Sequence, residues 1–253
     1  MLLAIDTTTR LVSLALYDAG GIIAEQSWRS ANNHSVETMP AIAKMLACRR
    51  AGTEACRKAG AEARRTTGAE ALKAVAVAKG PGSFTGLRIG MSIAKGLCLG
   101  LDIPLIAIPT LDITAYAVGD PGRPVYAVLE AGRGRICVAR YHFEEGLPVR
   151  EGEIELCETN AWKPPEGEAV LVAGEVSDEL AERLSVEGDV AQESQGENAA
   201  EPPAGVTIAL ASLAGSVRRA GYLAEMAWER WLAGRTDDLD TTQPDYIQFV
   251  ASQ

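Results

Sequence analysis

"LLAIDTTTRLVSLALYDAGGIIAEQSW", residues 2–28, alternates apolar runs with polar turns and reads as three strands in a meander. The strands are "LLAID", "LVSLALYD" and "IIAEQSW", joined at "TTTR" and at "AGG", whose glycines accept positive φ. Apolar spacing then predicts a helix from about Ser35 to Arg49, with Val36, Met39, Ala43 and Leu46 on one face. A β-branched run, "LKAVAVA" at 72–78, predicts a fourth strand. The glycine corner "AKGPGSFTGLRIG" at 78–90 leads into a helix from about Phe84 to Leu101. The order is β-β-β-α-β-α.

From Pro124 the pattern begins again, with "PVYAVLE", "RICVARYHF" and "VREGEIEL" as strands, a weak helix, the strand "AVLVAG" and the helix "SDELAERL". Two copies of this order predict an α/β protein with a duplicated ribonuclease-H-like fold, the two-lobed architecture of actin, sugar kinases and Hsp70. The expected lobes are 1–113 and 114–253, with a last helix from about Leu210 to Ala233 free to pack back on the first lobe. Residues 49–73 read as a solvated connector rich in Ala, Arg and Glu, and 185–205 as a flexible acidic excursion.

The 253 residues are 47% hydrophobic, enough for a substantial core, and carry a net charge of −10. Such an acidic surface argues against nonspecific binding of a phosphate backbone by the whole molecule. The opening run reaches Asp6 at once, so no signal segment is expected. No stretch is expected to approach membrane-spanning length, and a cytoplasmic protein is the simplest reading. The five cysteines form no Cys-x-x-Cys pair, which indicates neither a disulfide framework nor a zinc knuckle.

The glycine corner fits none of the phosphate or nucleophile signatures. Counted from Gly82, Leu87 and Arg88 stand where a P-loop needs its second Gly and its Lys, the spacing of Gly80, Gly82 and Gly86 is one residue too long for a dinucleotide fingerprint, and Ser83 follows Gly82 directly rather than sitting in a nucleophile elbow. What remains is geometry. Gly86, Gly90 and Ala94 form a smooth stripe for close approach to another backbone, either the protein's own sheet or a partner, and Leu87 and Met91 add apolar surface.

"GPGSFTGLRIGMSIAKGLCLGLDIPLIAIPTL" (80–111), with "AIDTTTRLVSLALYD" (4–18), "NHSVETMP" (33–40) and "VYAVLEAGRGRICVARY" (125–141), closely resembles the bacterial TsaB family of tRNA threonylcarbamoyladenosine biosynthesis. The likeness covers most of the first half and thins after about residue 145. It implies an actin-like fold and a noncatalytic accessory subunit. Such a subunit pairs with the related catalytic subunit TsaD, which transfers threonylcarbamoyl to the tRNA adenosine beside the anticodon; the ATPase TsaE joins them. The helices beginning near Ser35 and Phe84 are that family's contact surface with TsaD and its route to homodimers. The resemblance therefore assigns partner binding to Val36, Met39, Ala43, Leu46, Phe84, Gly86, Leu87, Gly90, Met91 and Ala94. Transfer RNA would be reached through the complex, with no cofactor and no membrane.

TsaD looks similar across the corner but carries a metal-binding His-x-x-x-His where this chain has Thr110 and Thr114. Neutral hydroxyls are poor ligands for a transition metal, so a metal-free site is expected. His34 lacks a second histidine one turn on, where Thr38 stands. Asp6, Thr7 and Thr8, with Thr9, occupy the position where actin-like ATPases hold phosphate and magnesium, yet the same groups also satisfy turn amides, which is the favoured use. Two other classes stay open: an actin-like ATP-binding phosphotransferase or metallopeptidase-like enzyme, and direct tRNA binding through Arg49, Arg50, Arg57, Lys58, Arg64 and Arg65.

Overall fold

A computed structural model describes residues 1–31, 33–51, 68–187, 190–193, 208–212 and 214–247. The first unit, Met1–Ile108 with Arg219–Asp245, is built on a five-stranded sheet. Its elements are β1 (Leu2–Asp6), β2 (Leu11–Asp18), β3 (Gly21–Arg29), α1 (His34–Ala51), β4 (Ala74–Ala78), α2 (Phe84–Leu101) and β5 (Leu105–Ile108), in sheet order β3-β2-β1-β4-β5. β1 runs antiparallel to β2, with Ile5 opposite Leu14, and parallel to β4, with Ile5 opposite Val77.

All five residues of β1 are buried, as a central strand covered on both faces requires. Leu3, Ile5, Leu14, Leu16, Val75 and Val77 share one face and pack with Met91, Ala94 and Cys98 of α2 and with Ile42 and Met45 of α1. The other face is lined by small side chains, Ala4, Ala15 and Ala76, which register places side by side. The last helix lies on this face: the Ala220 amide donates to Ser13 Oγ at 2.8 Å, and Trp228 packs on Tyr17.

The second unit is Pro109–Arg218 with Tyr246–Gln253. It contains α3 (Thr110–Val118), β6 (Val125–Gly132), β7 (Arg135–Glu144), β8 (Leu147–Glu158), β9 (Val170–Gly174), α4 (Asp178–Glu187), β10 (Val190–Glu193) and β11 (Ile208–Ala211). Its sheet order is β10-β11-β9-β6-β7-β8. β6 pairs antiparallel with β7 and parallel with β9, and β9 with β11, which repeats the pairing of β1, β2, β4 and β5. The repeat is the ribonuclease-H-like duplication expected from element order. Against an expected boundary at 113/114, α3 already belongs to the second unit, while α5 (Ala220–Leu232) belongs to the first.

Three expectations are corrected. The long final helix is shorter: Ile208–Ala211 forms a strand paired with β9, and helix begins only at Ala220. The weak helix before β9 is absent, since 159–169 with Pro164, Pro165 and Gly167 makes turns. Val190–Glu193, inside the expected acidic excursion, forms a strand beside β11. Residues 185–187 of that excursion end α4, while 188–189 and 194–205, and 52–67 of the connector, lie outside the described residues, as do Arg57, Lys58, Arg64, Arg65 and the side chains of Arg49 and Arg50.

Candidate functional site

The threonine turn after β1 and the glycine corner after β4 form one interlocked unit. Asp6 Oδ1 accepts both the Thr8 amide, at 2.9 Å, and the Thr8 hydroxyl, at 2.6 Å. The Thr7 hydroxyl donates to the Gly86 carbonyl at 2.8 Å, and the Ser83 amide donates to the Thr8 carbonyl at 2.6 Å. His34 Nε2 donates to the Thr9 carbonyl at 2.9 Å, which assigns the proton to that nitrogen. Asp6, Thr7 and Thr8 are at most 1% exposed. As nucleotide candidates they are corrected: their polar atoms are turned inward to hold the turn, and none of the three is accessible to a phosphate.

The glycines explain how so close an approach is reached. A Cβ on Gly82 would lie 2.5 Å from the Thr8 carbonyl oxygen. On Gly86 and Gly90 it would come closer still, to the carbonyl oxygen and hydroxyl of Thr7. Ser83 caps the helix, its Oγ accepting the Gly86 amide at 3.3 Å. At the other end Asp102 adopts a left-handed conformation, with φ 52°, and closes α2 on the Cys98 carbonyl.

The stripe of Gly86, Gly90 and Ala94 thus faces the protein's own sheet, together with Leu87 and Met91. As partner-binding residues these five are corrected, and Leu46 joins them at 7% exposure. Leu46 lies about 80° round α1 from Val36 and meets the core beside Ile42. The other predicted residues point outward: Val36 is 68% exposed, Met39 43% and Phe84 55%, and Ala43 is also exposed.

Sequence reasoning missed Leu99, which is 79% exposed, and Arg88, whose guanidinium sits 3.9 Å over the Phe84 ring. The signal was available. Phe84, Arg88, Ser92, Lys95 and Leu99 recur at three- and four-residue spacing, tracing a second stripe outside the glycine one. α1 and α2 contact each other, so their outward sides adjoin.

This helix also corrects the membrane expectation, since Phe84–Leu101 is long and apolar enough to cross a bilayer by length and composition alone. Its apolar character has a local cause: one side fills the core and the other carries Phe84 and Leu99.

Thr110 and Thr114 lie one turn apart on α3 and are buried, the Thr114 hydroxyl donating to the Thr110 carbonyl at 3.2 Å. Among the described residues no three His, Cys, Asp or Glu side chains gather as metal ligands would. Cys98 and Cys137 are buried in the two cores, and burial pushes each thiol up to about 11, away from nucleophilic chemistry.

A family model described as TsaD, tRNA N6-adenosine threonylcarbamoyltransferase, matches residues 13–148. The tRNA threonylcarbamoyladenosine biosynthesis protein TsaB of Bacillus subtilis is 34% identical over 147 residues, 58% of this chain and 57% of that protein. Its namesake from Escherichia coli is 30% identical over 188 residues, 74% of this chain and 68% of that protein. The matches thus span little more than half to two-thirds of these relatives' lengths. Among solved structures, YeaZ from Pseudomonas aeruginosa shares the fold with a TM-score of 0.70, at 22% identity over 97% of this chain and 99% of that one.

Proposed function

The chain belongs to the TsaB family, and from that premise we propose that it is a noncatalytic accessory subunit for threonylcarbamoyl transfer to tRNA adenosine, acting by binding the catalytic subunit TsaD. The observation that supports this reading is the outward apolar row on α1 and α2: Val36, Met39, Phe84 and Leu99 on helices whose inner sides are already committed to the core. Solvated apolar side chains on two adjoining helices favour a protein partner. A partner that covers them stabilises whichever of its own conformations presents the matching surface, which is how a subunit without a reaction centre raises another's activity.

On this reading Phe84 with Arg88 above it is the anchor, Val36 and Met39 extend the contact, and homodimers use the same surface when TsaD is absent. TsaE joins the pair, tRNA is met only through the complex, and the work is done in the cytoplasm without a membrane.

The test is reconstitution of tRNA modification from purified TsaD, TsaE and this chain, with variants Val36→Asp and Phe84→Asp. Both should lose co-migration with TsaD and the modification that depends on it, while unfolding at the wild-type temperature. Charge at Leu87 or Met91 would instead unfold the first unit, so those variants do not report on docking. Undiminished TsaD binding by the folded Phe84→Asp protein, or tRNA modification by this chain alone, sinks the reading.

A further inference from the structure

The first unit's sheet has a second, chemically different surface on the face away from α1 and α2. Tyr17, at the end of β2, packs against Trp228 of α5 with the rings tilted by 54° and their centroids 5.6 Å apart, and Trp228 meets Trp231 edge-on at 5.0 Å. All three rings are only half-buried. Ile22 lies directly across from Tyr17 on β3 and is 50% exposed, and Leu232, one helical turn after Trp228, is 63% exposed.

Acidic residues border it, and Arg219, the cation at the start of α5, is paired with Glu25. Glu225 and Glu229 flank Trp228 at one-turn spacing on the exposed side of α5, and Asp18 follows Tyr17. Burial, and then the negative charges of Glu225, Glu229 and Asp18, raise the Tyr17 hydroxyl above its ordinary value, so these carboxylates converge on the aromatic cluster. Arg230, the basic residue of the helix's last turn, is spent inward: it donates to the Ala107 carbonyl at 3.1 Å and pairs with Asp237.

Electron-rich ring faces bordered by carboxylates complement cations carried on apolar stems. We propose that this face of α5 and the β2–β3 hairpin docks an arginine- or lysine-bearing segment of a partner protein. The cationic heads pair with Glu225 and Glu229, and the stems lie on Trp228 and Trp231. The carboxylates repel a nucleic-acid backbone. Because this surface and the α1–α2 row lie on opposite faces of one sheet, both can be occupied together.

The test uses the full-length 15N-labelled chain and a nonaarginine peptide, read at the four indole resonances. Trp228 and Trp231 should shift while Trp28 and Trp162 stay in place. Glu225→Lys with Glu229→Lys should weaken binding by about tenfold or more at equal salt, and Trp231→Leu by about threefold or more, both with unchanged thermal unfolding. Shifts spread over all four indoles, affinity indifferent to these substitutions, or no shift at millimolar peptide overturns the proposal. So does a homodimer that the same charge reversal dissociates, because the face would then belong to a second copy.

Discussion

The first turn of each unit occupies the same place in the same strand order, yet one is sealed and the other open. Thr7, Thr8 and Thr9 after β1 are buried, whereas Glu130 to Gly134, the end of β6 and the turn into β7, are exposed. Both units anchor the chain after the neighbouring parallel strand, in the first to the turn after β1 and in the second to β6: Ser83 donates to the Thr8 carbonyl at 2.6 Å, and Glu175 to the Val128 carbonyl at 2.8 Å. Beyond that bond they diverge. In the first unit, glycines at 82, 86 and 90 let α2 come down on the turn itself. In the second, Gly174 alone makes the close approach, and polar groups do the rest: Glu175 accepts the Glu130 amide and lies 3.5 Å from buried Arg218. Equal topology therefore does not make equal sites; glycine spacing in the crossing loop decides whether a turn is plugged or left to solvent.

The largest effect should come from removing that spacing. Gly86→Ala drives a methyl group into the Thr7 carbonyl, a backbone atom that cannot rotate away, and should cost about 3 kcal/mol or more. Gly96→Ala, on the same helix with open space around its Cβ position, should instead stabilise by about 0.5–1 kcal/mol. Denaturant unfolding of the two variants side by side measures the contrast. Equal shifts of the midpoint would mean that the corner does not rest on the turn as described.

This contrast also marks how far the sequence could be read. The strand meander and its repeat were legible because alternation and turn glycines are local signals. The division of Gly86, Gly90 and Ala94 from Phe84, Arg88 and Leu99 was not, since both stripes run along one uniformly apolar helix and only the sheet beneath shows which is covered. β11 escaped for a related reason: "IALA" suits a buried strand or a buried helix equally, and its pairing partner β9 lies more than 30 residues away. The exchange of α3 and α5 between units is likewise a tertiary fact with no local signature. His34 was readable only as a lone histidine, because its acceptor is a backbone carbonyl, which no side-chain pattern reveals.

A smaller effect isolates the hydrogen bonding from the steric fit. Thr7→Val keeps the shape of the side chain but removes its hydroxyl, leaving the Gly86 carbonyl without that donor in a buried turn. The expected loss is about 1–2 kcal/mol, with α2 in place. The corresponding change in the open turn, Glu130→Gln, removes a charge from solvent and should move stability by less than about 0.5 kcal/mol. If the two substitutions cost the same, burial of the first turn contributes nothing that the second lacks.

The smallest effect sits in the second unit, where charges take the place of close fit. On β7, His142 Nε2 donates to Glu144 at 2.9 Å, and Nδ1 lies 3.0 Å from Glu151 as an ion pair off the hydrogen-bond axis. The Glu144 hydrogen bond, and then the two carboxylate charges against slight desolvation, raise the imidazole above its ordinary value of 6.5. The raised group binds its proton more tightly folded than unfolded. Its contribution to stability is therefore complete below the unfolded value and is lost as pH rises through the folded one. Arg140 still pairs with Glu151 and Glu168 above that point, so the β7–β8 hairpin should persist while this increment disappears. An NMR titration of the two histidines, assigned with His142→Asn, should place His142 above 6.5, and Glu144→Gln should bring it down more than Glu151→Gln does. A His142 midpoint at or below 6.5 would mean that solvent already screens both carboxylates, leaving the hairpin to Arg140 alone.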